Sequence, residues 1–163
     1  MGLNLPSEVS YLLNELGFIW PESDEEALFR LGRAWLDFAG TVGQLNADAA
    51  AAVARIAADN HGDAVQAFLA DWRSEDAPPA VLDSGVQGAQ VVGAALILCA
   101  VVVLALKINV IVQLVVLLVE IIQAIATAPE TFGVSLLEIP VFKKITGMII
   151  NFLVGQAVEA VLG

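Results

Sequence analysis

His61 is the only histidine in the chain and Cys99 the only cysteine. A zinc site needs several nitrogen or sulfur ligands, and a nucleophilic triad needs a histidine beside its serine or cysteine. His61 has no such neighbour in the sequence, and it falls in a turn between two helical segments. Cys99 lies inside a long apolar run and reads as a small packed side chain. Being alone, it forms no intrachain disulfide, so the redox compartment is not legible. The acidic run Glu22–Glu26 lacks the alternating oxygen ligands and central glycine of a calcium loop. Glu120 and Glu138 would become a carboxylate pair only by accident of folding, and there is no glycine-rich phosphate loop. These residues predict no catalytic site, no metal site and no cofactor.

One polar pattern does have a spacing. Asn109, Gln113, Glu120, Gln123 and Thr127 fall within about 80° of one another at 100° per residue, and Lys107 lies on the opposite side. A narrow polar stripe on an otherwise apolar helix lines a channel or pairs with other polar helices in a membrane. It also suits the solvent-facing edge of a helix buried in a bundle. Both readings stay open on the sequence.

The elements that carry these residues are all helical. Ser7 is placed to cap a short helix reaching Leu16, with Gly17 as its stop. Pro21 ends any helix there, and Ser23 with Glu26 reads as a capping box opening the next one. Behind it Leu28, Leu31, Trp35, Phe38, Val42 and Leu45 recur at spacings of three and four, a heptad seam. The turn Asn60-His61-Gly62 stops that helix, and a second one from Asp63 brings Phe68 and Trp72 onto a face, ending before Pro78–Pro79. Leu28, Leu31, Trp35, Phe38, Phe68 and Trp72 are therefore the expected seam for hairpin packing and for a partner helix, rather than a ligand cage. LDSG at 82–85 is placed to open a further helix from about Ser84 to Ala128. Along it Gly85, Ala89 and Gly93 form a small-residue row that permits close helix contact. Pro129 ends it, and Pro140 suits the first turn of a last helix.

Composition divides the chain. Of the formal net charge of −11, residues 1–83 carry −10, from fourteen Asp/Glu and four Arg; residues 84–163 carry −1. Mean hydropathy is +0.80 and 58% of residues are hydrophobic, above the roughly 45–50% of ordinary globular chains. Residues 1–80 thus read as an acidic amphipathic helical hairpin and 81–163 as an apolar helical region. The acidic half disfavours nucleic acid and electrostatic docking on anionic lipid. From Val91 to Leu106 there is an unbroken apolar window, marginal for a membrane span of about 20 residues. The C-terminal half has too few charges to cover its own surface, so lipid, a partner or self-association must do so. No Sec-type leader pattern opens the sequence.

The segments GLNLPSEVSYLLNELGFIWPESDEEALFRLGRAWLDFAG, NHGDAVQAFLADW, EDAPPAVL, VVLALKINVIVQL and SLLEIPVFKKITGMI, in that order, resemble the CpnT-like, WXG-like N-terminal domain of actinobacterial polymorphic toxins. The resemblance implies export through a type VII (ESX) secretion system, delivery of a C-terminal toxin where the chain is part of a longer protein, and pairing with a second helical hairpin. It also implies an outer-membrane channel as one role of the domain. In the turn, Gly62 matches the family's glycine and Asn60 stands where the family has tryptophan. The family's tyrosine-x-x-x-acid export signal follows the return helix, whereas the only literal match here is Tyr11 with Glu15, at the other end. A secretion and delivery domain is the first expectation. A pore lined by Asn109, Gln113, Glu120 and Gln123, or an oligomeric helical scaffold, are the alternatives.

Overall fold

A computed structural model describes residues 2–20 and 23–162. Of the described residues 84% are helical and none is in a strand, so the all-α expectation holds. The helices are α1 (Ser7–Glu15), α2 (Glu25–Asp59), α3 (Asp63–Trp72), α4 (Pro78–Thr127) and α5 (Ile139–Leu162), with a short 3-10 turn at Val134–Glu138 before α5.

Helix boundaries correct several expectations. Pro6, not Ser7, precedes the first helical residue of α1, and no side-chain cap bond is made there. Gly17 ends that helix at φ +82°, a conformation that costs a glycine little. At α2 the cap is Asp24, whose Oδ1 accepts the Ala27 amide at 3.0 Å. The cap bond thus comes from an aspartate one residue beyond the expected Ser23. The expected stop at Pro21 and the start of the acidic run at Glu22 lie outside the described residues. Helix α4 opens at Pro78, not near Ser84. Two prolines fit its first turn because amides there have no intrahelical acceptor to lose. Ser84 consequently lies inside the helix, its hydroxyl bonded back to the Ala80 carbonyl at 3.1 Å. With 50 residues, α4 is about 75 Å long at 1.5 Å per residue.

Packing divides the chain into two compact units, one formed by Leu28–Leu98 and one by the N-terminal residues through Ala27 together with those from Cys99 onward. In the first unit, α2 lies antiparallel to the opening part of α4. Gly32 and Gly93 face each other so closely that a Cβ on either would stand 2.9 Å from the other's carbonyl oxygen. Further along, the Asn46 side-chain amide donates to the Pro79 carbonyl at 3.0 Å. Ala39, Val53 and Ala89 are buried here. The close return arm of the hairpin is therefore residues 78–98 of α4, while α3 is a ten-residue link. The expected small-residue row is used in part: Ala89 and Gly93 pack, whereas Gly85 has nothing within contact distance.

The second unit is built on the rest of α4 packed antiparallel to α5. Its core is Leu13, Val110, Leu114 and Ile150, with Val9, Leu12, Phe18 and Trp20 packed against it. Residues 2–20 and 23–27, including α1 and the first turn of α2, thus lie as a strap over the α4–α5 hairpin.

Candidate functional site

The aromatic seam on α2 does not do the internal packing expected of it. Leu31, Trp35 and Phe38 are 49%, 38% and 54% exposed, Phe68 is also exposed, and Leu28 and Trp72 are half-buried. The physical reason is the glycine contact: Gly32, Ala39 and Val53, recurring at multiples of seven, turn the adjoining face of α2 to α4, and flat faces approach more closely than aromatic ones. Trp35 and Phe38 instead stack edge-to-face along their own helix, with centroids 6.1 Å apart at 87°. Phe68 and Trp72 pair within α3 at 6.2 Å. Leu31, Ala34, Trp35 and Phe38 line an open apolar groove of about 350 Å³. The turn residues Asn60, His61 and Gly62 are all exposed. Gly62 adopts φ +121° and its carbonyl accepts the Val65 and Gln66 amides, both at 3.1 Å, which starts α3.

The α4–α5 hairpin presents the second surface. Val112, Val115, Val116, Val119, Ile122 and Ile125 are all exposed and span about 180° of arc on α4 at 100° per residue. Two helical stretches, Pro78–Thr127 and Val134–Leu162, are long and apolar enough to cross a membrane, and only 17% and 11% of their most apolar windows is buried. A core helix of a soluble domain passes the same length and composition test while mostly buried; these are not. The expected polar stripe runs beside the exposed arc: Asn109 and Gln123 are exposed, Gln113 and Glu120 half-buried. Asn109 donates to the Ala105 carbonyl of its own helix at 2.8 Å, and Thr127 to that of Gln123 at 3.0 Å.

A third feature was not legible in the sequence. Lys107 is 2% exposed, and its Nζ donates to Glu25 Oε2 and to the Ser23 carbonyl, each at 2.7 Å. The other Glu25 oxygen accepts the Leu3 amide. The Trp20 ring lies under the ammonium at 5.7 Å, and its indole N–H donates to the Leu3 carbonyl at 3.2 Å. Burial pushes the Glu25 carboxyl up, but the bonds from Lys107 and the Leu3 amide, with its own amide, outweigh it and hold the group at about 2. A second, exposed pair joins Lys143 of α5 to Glu15, which also accepts the Tyr11 hydroxyl at 3.0 Å. The Lys143 and Tyr11 hydrogen bonds lower the Glu15 pKa, and the bond to Glu15 raises that of Tyr11. Two of the three lysines thus clip the N-terminal strap to the hairpin. The readable signal was Lys107 itself, since a lysine amid apolar residues demands a partner. Nothing in spacing pointed to Glu25, which the helix start already accounted for.

Cys99 is half-buried and His61 exposed. Among the described residues no three His, Cys, Asp or Glu side chains come together as a metal-binding group. Compared with known proteins, residues 4–145 match a family model described as a WXG100 like domain. No curated protein matches, and no solved structure matches.

Proposed function

The chain belongs to the WXG100-like domain family, helical proteins related to type VII secretion, and from that membership we propose that it is the non-catalytic secretion and delivery module of a type VII-exported toxin. The observation that carries this reading is the pair of faces on α2. The glycine face is consumed by the chain's own hairpin, and the aromatic face with Leu31, Trp35 and Phe38 is left open. An open aromatic row on a long helix suits a partner helix, either of a second hairpin protein or of another copy. The apolar α4–α5 hairpin suits contact with an envelope membrane, and a toxin domain carried C-terminally would be the cargo. Tyr11 and Glu15 sit in the strap rather than after the return arm, and on this reading a partner carries the export signal.

The test is export. Trp35→Asp with Phe38→Asp lowers the secreted fraction by about tenfold or more while circular dichroism shows unchanged helicity. Secretion at the wild-type level from that variant overturns the reading. The free stripe on α4 supports a second reading, a channel assembled from several copies with Asn109, Gln113, Glu120 and Gln123 toward its axis. In that case Glu120→Gln changes ion leakage from liposomes carrying the protein; unchanged leakage removes it.

A further inference from the structure

We propose that the turn joining α4 to α5 is a bilayer-docking tip, inserted at the membrane interface with Phe132 as its leading side chain. This rests on the membrane-contact part of the reading above and specifies where that contact is made. The turn is built inside out relative to a loop in water. Its polar groups are bonded inward: the Ser135 hydroxyl donates to the Ala124 carbonyl at 2.7 Å, the Thr131 hydroxyl lies 3.0 Å from the Ser135 hydroxyl, and the Gly133 amide donates to the Ala128 carbonyl at 2.8 Å. Its apolar groups point out: Phe132 is 97% exposed, Leu137 72% and Val134 63%. Phe132 holds φ +52°, a left-handed conformation unfavourable for a bulky side chain. With Gly133 at φ +84° beside it, the backbone is bent so that the ring stands clear.

The choice of lipid over a protein groove follows from how the apolar surface continues. It runs from the tip onto the exposed arc of α4 and onto Val141 and Ile145 of α5. A helix docking from the side covers a stripe of about 100°; it covers neither half the circumference of α4 nor the end of the hairpin. A bilayer interface covers both. Exposed Glu130 and Glu138 flank the tip. Ionised carboxylates resist entry into hydrocarbon, so they stay among the headgroups and the hairpin lies along the interface rather than crossing it.

The experiment uses the full chain and phosphatidylcholine vesicles in a flotation assay. Phe132→Asp with Leu137→Asp lowers the vesicle-bound fraction by about tenfold or more, since each side chain loses interfacial burial and gains a charge. Leu162→Asp, at an equally exposed site on the far end of α5, leaves binding at the wild-type level. Phe132→Cys in a Cys99→Ala background, carrying an environment-sensitive dye, shifts to the blue with vesicles and is quenched by lipids brominated on the acyl chain. Wild-type flotation by the tip variant overturns the tip while membrane contact stands. Absence of flotation by the wild type overturns both. A dimer in the absence of vesicles that the tip variant dissolves assigns the turn to a protein interface and likewise overturns the proposal.

Discussion

The two units solve the same problem, holding long apolar helices together, by opposite means. In the unit of residues 28–98, α2 and α4 meet where side chains are missing: Gly32 against Gly93, with Ala39 and Ala89 buried nearby. In the other, the strap meets α4 through a fully desolvated ion pair, Lys107 with Glu25. The glycine contact gains by dispersion between backbones and is indifferent to pH and salt. The ion pair gains little against an apolar replacement, but it punishes any change that leaves one partner alone. The first device therefore fixes distance and the second fixes register, by accepting only the strap residues that complete the site.

Breaking the ion pair gives the largest expected effect. Lys107→Ala strands the Glu25 carboxylate among the strap residues and lowers stability by about 3–5 kcal/mol, as removal of one partner from a buried pair does. Lys107→Met with Glu25→Leu recovers most of that loss in denaturant unfolding. A double variant as unstable as the single one would mean that the charges are needed for folding itself. The same pair dictates a pH dependence. The folded Glu25 pKa lies at about 2, below its ordinary 4.5, so its contribution is present above about 4.5 and is lost as pH falls toward 2. In thermal unfolding the gap between wild type and Glu25→Gln narrows across that window and is constant above it.

Closing the glycine contact comes next. Gly93→Val would place a branched side chain where a Cβ alone already meets the Gly32 carbonyl oxygen at 2.9 Å and Leu36 Cδ2 at the same distance. Overpacking of this kind costs about 1–3 kcal/mol. Gly85→Val, eight residues earlier on α4, meets nothing within contact distance; in a helix, relief of the glycine's backbone freedom leaves it neutral or slightly stabilising. Equal losses from the two variants would show that helix propensity, not the close approach, governs this unit.

The sequence was legible where a pattern is local. The long helices, the 60–62 turn, the stop before Pro129 and the excess of apolar surface on the C-terminal half all followed from spacing and composition. It was not legible where two distant residues complete one another. The heptad of Leu31, Trp35 and Phe38 carries the stronger hydrophobic signal on α2, yet the chain packs on the weaker row containing Gly32 and Ala39, because backbone proximity compensates for absent side chains. Lys107 was readable as a residue needing a partner. The partner, Glu25, is one of four acidic side chains between Glu22 and Glu26, in no spacing that singles it out.

The smallest expected effect separates a desolvated ion pair from an exposed one of the same chemistry. Lys143 and Glu15 join the same strap to the hairpin as Lys107 and Glu25, but each is about a third exposed. Water screens such a pair and side-chain entropy opposes it, so Glu15→Gln leaves the unfolding temperature close to that of the wild type. The contact is still readable, because the chain has one tyrosine and its hydroxyl bonds to Glu15. That bond, and the charge behind it, holds the Tyr11 pKa above its ordinary 10.0. Spectrophotometric titration of the phenol therefore moves to lower pH in Glu15→Gln, while melting hardly changes. A titration that does not move would mean that the Tyr11 hydroxyl is not bonded to Glu15 in solution, leaving that carboxylate to Lys143 alone.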